Sequence, residues 1–145
     1  MCIRDRIFTG YKILRQSLAG IMDEADMVLL GNMVALLNKS RPSSWIDLHN
    51  LRFIKYGSIL HLDCHLTVPW YFNVNEAHKE VESLETLVKT NFGENVELFV
   101  HTDGCLDFSC KLCRVENCKV RQADFVQKVD WTIKNISSNH KHRLN

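Results

Sequence analysis

Hydrophobic and polar residues alternate along Ile59–Val68, a pattern that predicts a half-buried β-strand. The apolar face of this strand comprises Leu60, Leu62, Cys64 and Leu66, and its polar face comprises His61, Asp63 and His65. Residues 45–56 are also predicted to be mostly extended, and the Gly57-Ser58 pair between the two segments favours a turn. We therefore expect residues 46–68 to form a β-hairpin whose polar face carries histidines.

Apolar residues recur at helical spacing in segments on either side of this hairpin. Residues 10–26 and 27–41 are both predicted to be helical. A third helix is expected to begin after Asn73, which forms a capping-box pattern with Glu76, and to end at Gly93. Its predicted buried stripe comprises Val74, Ala77, Val81, Leu84 and Val88.

The remaining segments complete a small mixed domain. Residues 96–101 are predicted to form a third strand. A last amphipathic helix is expected through Val126, Val129, Ile133 and Ile136. The polar tail that follows it is expected to be frayed. The central order of helix, strand, strand, helix and strand predicts an α+β domain of two layers, an open sheet with helices on one face.

Length and composition narrow the class of protein. With 145 residues and 46% hydrophobic content, the chain can bury about one ordinary core. A net charge of +1 gives no electrostatic support for binding to nucleic acid or to an anionic membrane surface. No signal peptide is evident, and no apolar run reaches the ~18–20 residues that a membrane span requires. Residues 1–6, MCIRDR, resemble translated adapter sequence, and we set them aside as a non-native start.

Five side chains have the chemistry and the predicted placement of metal ligands: His49, His65, His78, His101 and Asp103. Residues two apart on a strand point to the same face, so His101 and Asp103 project together. Imidazole and carboxylate form a ligand set that suits zinc and neighbouring divalent metals. Taken singly, a histidine on a strand is usually an exposed residue or a satisfied core residue, and His78, near a helix start, could equally face solvent. His140 and His142, in the polar tail, are given little weight as ligands.

Four of the six cysteines form a C-x4-C-x2-C-x4-C run: Cys105, Cys110, Cys113 and Cys118. Without an export signal, reduced thiols are expected, and this spacing favours a metal site over a disulfide framework. One ion could be held by all four thiolates. Alternatively, two cysteines could join His101 and Asp103, bind across a dimer, form a redox-active pair, or have no ligand role.

The segment 46–103 resembles the cytoplasmic C-terminal domain of the cation diffusion facilitator family, the cation-efflux transporters of zinc and related metals. The matching features, in order, are HNLR, a glycine turn, the strand CHLTV, the helix start NEAH and the final HTD. The segment GYKILRQSLAGIMDEAD before them resembles the end of the family's last transmembrane helix, running into the cytoplasm. Two features depart from the family pattern, namely Gly104 where proline is frequent and the cysteine run.

The resemblance implies a ferredoxin-like, metallochaperone-like αββαβ domain that forms a homodimer and binds a divalent metal, with zinc as the first candidate. It implies metal ligation by His49, His65, His101 and Asp103, and by His78 as in some members. It divides the chain into the end of a transmembrane helix with a linker (7–26), the cytoplasmic domain (27–104), and a cysteine-rich loop, helix and tail (105–145). The implied function is regulation of a transporter at the cytoplasmic face of the inner membrane, with no enzymatic activity. The membrane portion and its transport site are expected to be absent from this chain.

Other functions fit the same residues. A free-standing soluble metallochaperone or metal-storage protein would use the same ligands. A dimerisation module without metal is a third possibility. A zinc hydrolase is disfavoured, because the sequence contains no nucleophile motif and no evident general base.

Overall fold

A computed structural model describes residues 3–21, 27–56 and 59–144, although not the side chains of residues 16–21 and 55. The main elements are α1 (Ile3–Ile21), α2 (Met27–Ser40), β1 (Asp47–Tyr56), β2 (Ile59–Val68), α3 (Val74–Phe92), β3 (Val96–Gly104) and α4 (Ile133–Ile136), with a 3₁₀ turn at Asp107–Lys111. Helix α1 thus includes residues 3–6. The end of the first predicted helix, 22–26, and the predicted Gly57-Ser58 turn lie outside the described residues.

The three strands form one sheet in the order β1-β2-β3. Strand β2 pairs with β1 in antiparallel fashion and with β3 in parallel fashion, and α3 makes the crossover between the parallel pair. The predicted αββαβ order and the α+β class are therefore confirmed. His65 lies in register with His49 on one neighbouring strand and with His101 on the other.

The core lies between one face of this sheet and the helices. The predicted apolar face of β2 is buried throughout, and so are α2 side chains and the central turns of α3: Leu30, Met33, Val34, Leu37, Leu60, Leu62, Cys64, Leu66, Leu84 and Val88. Each large aliphatic side chain buried in this way contributes roughly 1.5–3 kcal/mol. The prediction for Val74 is wrong: it is 85% exposed, because it occupies the first position of α3 at the rim of an open cleft.

The predicted boundaries of α3 are confirmed by its caps. The Asn73 side chain accepts from the Glu76 amide at 3.0 Å, and the Glu76 carboxylate accepts from the Asn73 amide at 2.8 Å. Gly93 ends the helix with φ of +94°, in the region where only glycine is unstrained, and its amide donates to the Lys89 carbonyl at 2.8 Å. These caps fix the residues at which α3 begins and ends.

The predicted helix through residues 126–136 is wrong except for its last turn, Ile133–Ile136. The chain before that turn bonds to other segments instead of to itself. The Val126 amide donates to the Lys111 carbonyl at 2.9 Å, and Trp131 exchanges two hydrogen bonds with the Asn38 side chain, at 2.6 and 3.0 Å. Apolar residues at helical spacing predicted a helix, but these longer-range hydrogen bonds take up the backbone groups.

Arg41 anchors this irregular segment to the core. Its guanidinium donates to the carbonyls of Trp45 at 2.8 Å, of Val129 at 2.9 Å and of Ile46. It also lies over the ring of the buried Trp131, 3.8 Å from the centroid. Burial lowers the Arg41 pKa to about 10. One buried side chain therefore connects the end of α2, the start of β1 and the chain before α4.

The polar tail is ordered, contrary to the prediction that it frays. The Asn50 amide donates to the Ser138 carbonyl at 2.7 Å, and the His142 amide donates to the Asp47 carboxylate at 2.9 Å. The tail thus lies across the part of β1 that carries His49, which has only 4% of its surface exposed. Among the described residues, no helix has the length and apolar character needed to cross a membrane.

Candidate metal centre

A β-bulge in β1 helps to place His49. The pairing register with β2 shifts between His49 and Arg52, and Asn50 takes a positive φ of +53°. Asparagine tolerates this left-handed conformation better than most residues. The bulge begins directly after His49, which lies opposite His65 with ring centroids 5.0 Å apart.

Three ligand-type side chains converge on the open face of the sheet. Asp103 Oδ2 lies 3.6 Å from His49 Nε2 and 3.4 Å from His65 Nδ1, and one ligand atom from each of the three residues falls within 4.8 Å of the others. Ligands around a tetrahedral zinc at ~2.0–2.1 Å stand roughly 3.3 Å apart. The three strands thus bring two imidazoles and a carboxylate close to the spacing of a metal site.

His101 lies at the edge of this group. Its Nε2 is 3.4 Å from Asp103 Oδ1, and its ring centroid is 4.6 Å from that of His65. Its side chain is 66% exposed, and it is not part of the group within 4.8 Å. His101 therefore adjoins the site and could become a fourth ligand by a change of side-chain conformation.

His78 is not brought to the group. It lies on α3, exposed, with Nε2 3.4 Å from the Glu82 carboxylate one helical turn on. It lines a cleft of about 430 Å³ together with Asp103 and Trp70. The cleft thus reaches from His78 to Asp103, but the His78 imidazole contacts the Glu82 carboxylate of its own helix.

The protonation state of His49 favours metal ligation. Burial lowers its pKa, although the nearby Asp47 carboxylate opposes that shift. Only the neutral imidazole has a lone pair for a metal. His49 therefore stays neutral, and available as a ligand, at a lower pH than an ordinary histidine does. Its Nδ1 is buried without a hydrogen-bond partner in the described residues, with Asp47 Oδ2 at 3.7 Å. A small inward shift would let Nδ1–H bond to this carboxylate, the usual support of a metal-bound histidine.

Sequence reasoning missed Asp47, Lys141 and His142. The buried Asp47 carboxylate lies 2.5 Å from His142 Nδ1, and Lys141 Nζ lies 3.4 Å from Asp103 Oδ2. The signal for Asp47 was present, since it precedes His49 by two residues as His101 precedes Asp103. Nothing local marks Lys141 and His142, because their partners lie far away along the chain. An ammonium group from the tail thus neutralises the carboxylate that a metal would bind.

The cysteine run follows β3 directly. The Cys105 amide donates to the Val68 carbonyl at 2.9 Å, Cys110 lies in the 3₁₀ turn, and Cys113 is buried. These three and Cys118 are free thiols, as is the buried core residue Cys64. Among the described residues, no three of the run's sulfurs lie within 4.8 Å of one another. Burial raises the pKa of both Cys105 and Cys113, and it raises that of Cys64 to about 12.

Residues 36–105 match the family model of the cation efflux protein, cytoplasmic domain. A stretch of 63 residues is 38% identical to metal tolerance protein C1 of Arabidopsis thaliana, covering 43% of this chain. The matched stretch spans 13% of the length of that relative.

Two solved structures show similarity of shape. CzrB, described as a zinc transporter, in its Zn form has a TM-score of 0.47 and 23% identity, over 50% of this chain and 81% of that one. A zinc form of a MamM CTD variant has a TM-score of 0.46 and 18% identity, over 55% and 87% of the two chains. The family match covers the hairpin, α3, β3 and all five predicted His and Asp ligands. Residues 36–105 of this chain therefore belong to the cation efflux protein, cytoplasmic domain family.

Proposed function

We propose that this chain is the metal-binding, dimerising regulatory domain of a divalent cation efflux transporter, located on the cytoplasmic side of the membrane. The observation that supports this most directly is the convergence of His49, His65 and Asp103 from three strands within a segment of that family. Zinc is the proposed ion, since two imidazoles and a carboxylate form a ligand set that suits zinc. His101 lies close enough to become a fourth ligand.

Binding would change how the domain is held together. A dication between the three strands replaces the Lys141 ammonium, which now lies 3.4 Å from Asp103 Oδ2. Metal therefore favours the arrangement in which the strands are cross-linked and the tail lysine is released. This difference in contacts is the physical basis for sensing: the ion stabilises one of two arrangements of the same chain.

The partners in this proposal are a second copy of the chain, the metal ion and the membrane portion of the same transporter. The open face of the sheet offers a surface for the second copy, because Phe99 there is 59% exposed. A free-standing metallochaperone or storage protein would share the site, and it would be indicated by a reading frame without upstream membrane spans. We propose binding and not catalysis; zinc-dependent hydrolysis by the purified chain would contradict that.

Zinc titration of the reduced chain tests the metal site. We compare the wild type with a His65→Ala/Asp103→Asn double variant and count bound zinc per chain by elemental analysis. The expected result is the loss of one bound zinc per chain in the double variant, because two of the three converging ligands are gone. His61→Ala is the matched control, since His61 lies on the same face of β2 but pairs with Glu97 at 3.0 Å.

Unchanged zinc content in the double variant would contradict the proposed site and would place the metal elsewhere. No bound zinc in the wild type would leave a dimerisation module without metal.

A further inference from the structure

We propose that Cys105, Cys110, Cys113 and Cys118 form a second and separate metal site, in which four thiolates bind one zinc-like ion. This site would hold the long segment after β3 in place. It is independent of the His/Asp site, and neither the family match nor the resemblance assigns it.

The central pair of cysteines lies on a tight turn. The Leu112 amide donates to the Ser109 carbonyl at 3.0 Å, and the Cys113 amide donates to the Cys110 carbonyl at 3.2 Å. A C-x2-C pair on such a turn is the usual half of a structural zinc site. The backbone of this half-site is therefore already shaped for chelation.

The sulfur of Cys110 accepts a backbone hydrogen bond from across the loop. The Gln122 amide donates to Cys110 Sγ at 3.4 Å. A metal-bound thiolate is a strong acceptor, so this amide would stabilise the Cys110 sulfur as a ligand.

Arg121 supplies a positive charge at the centre of the loop. Its guanidinium donates to the carbonyls of Cys110 at 3.1 Å, Cys113 at 3.1 Å, Val115 at 2.7 Å and Ala123 at 3.3 Å. Four thiolates around a dication carry a net charge of −2, which a nearby guanidinium offsets. Arg121 thus fixes the loop backbone and compensates the charge of the proposed site.

The segment has little regular structure of its own. Between Gly104 and α4 the only regular structure among the described residues is the turn Asp107–Lys111, and yet Leu112 and Cys113 are buried. Loops longer than about 12–15 residues without their own secondary structure are uncommon in compact domains. Because no three of the sulfurs now lie within 4.8 Å of one another, metal binding would draw them together.

Cobalt(II) substitution tests this site apart from the His/Asp site. Thiolate ligands give cobalt a sulfur-to-metal charge-transfer absorption in the near ultraviolet, whereas imidazole and carboxylate ligands do not. The full chain is titrated with Co²⁺ under a non-coordinating reductant. We expect the absorption in the wild type and in His65→Ala/Asp103→Asn, and its loss in Cys110→Ser/Cys113→Ser. Cys2→Ser, which removes a thiol outside the run, is the matched control.

A measurement on the wild type covers the case in which the cysteine variant fails to fold. With Zn²⁺ bound, a thiol reagent should modify the accessible thiols of Cys105, Cys110 and Cys118 more slowly, and a chelator should restore their reactivity. Equal reactivity with and without Zn²⁺, or no charge-transfer absorption in the wild type, would overturn the proposal. Loss of the absorption in His65→Ala/Asp103→Asn would also overturn it, since cysteines and the His/Asp group would then share one ion.

Discussion

At the scale of single residues, the distribution of charge around Asp103 decides how readily a metal can bind. Its Oδ2 faces His49, His65 and Lys141 at 3.4–3.6 Å, so a protein cation already occupies part of the space that a dication needs. The lysine is half-buried, with 20% of its side chain exposed. Metal affinity is therefore a competition between an ion from solution and a tethered ammonium group.

Replacing Lys141 by methionine should tighten zinc binding to the His/Asp site. The variant keeps most of the length of the side chain and removes the competing charge, whose ion pair is worth about 1 kcal/mol, or roughly fivefold in affinity. Calorimetric titration of the Lys141→Met and wild-type chains measures the difference. Lys128→Met is the control, because Lys128 pairs with Asp130 at 3.4 Å instead. Weaker binding in Lys141→Met would show that the lysine supports the site.

Asp47→Asn should weaken zinc binding by about 10-fold or more, because outer-shell carboxylates orient a ligating histidine and raise its basicity. Asp47 is placed for this role with respect to His49 and also anchors His142. The measurement is zinc affinity by competition with a chromophoric chelator. Asp63→Asn, an exposed position on the neighbouring strand, should leave the affinity unchanged. Equal affinities in the two variants would remove Asp47 from the site.

At the scale of elements, local patterns predicted the hairpin and α3 well because their signals are short-range. Alternation sets the buried face of β2, and the Asn73–Glu76 box and Gly93 set the ends of α3. The segment 126–132 was mispredicted because its bonds run to Lys111 and Asn38, which a helical period cannot reveal. The same reason explains the tail: His142 and Asp47 are 95 residues apart.

Arg41→Ala should lower the stability of the whole domain, since it removes three hydrogen bonds to carbonyls and a stacking contact with Trp131. A lost charged hydrogen bond costs roughly 1.5–3 kcal/mol, and the carbonyls are left without their donor. We expect a loss of about 3 kcal/mol or more, measured by urea denaturation followed by circular dichroism. Lys39→Ala, two residues earlier and exposed, should change stability by less than about 0.5 kcal/mol. Similar stabilities of the two variants would contradict the anchoring role.

At the scale of the whole molecule, helices cover one face of the sheet and the other face is only partly covered. The tail lies over the end that carries His49, whereas Asp63, Glu97, Phe99 and His101 are exposed on the described part of this face. The proposed metal site therefore stands where the covered end meets the open one. A dimer formed through the open part would place the metal site next to the subunit interface. Metal binding could then change how the two subunits are arranged.

Phe99→Ser should weaken the proposed homodimer without unfolding the chain. The ring is 59% exposed in the single chain, with His61 stacked on it at 6.5 Å between centroids, so little folding energy depends on it. In a dimer through this face the same ring would be buried, and its loss would cost roughly 2 kcal/mol or more at each subunit's copy. Sedimentation equilibrium should show a roughly thousandfold higher dimer dissociation constant for Phe99→Ser, since the two copies together lose about 4 kcal/mol, while its denaturation midpoint at a fixed low concentration stays near that of the wild type. Phe125→Ser, at a phenylalanine that is 46% exposed in the loop after β3, is the matched control and should dimerise as the wild type does. If Phe125→Ser alone dissociated the dimer, the interface would lie on the cysteine loop and the open face of the sheet would be free.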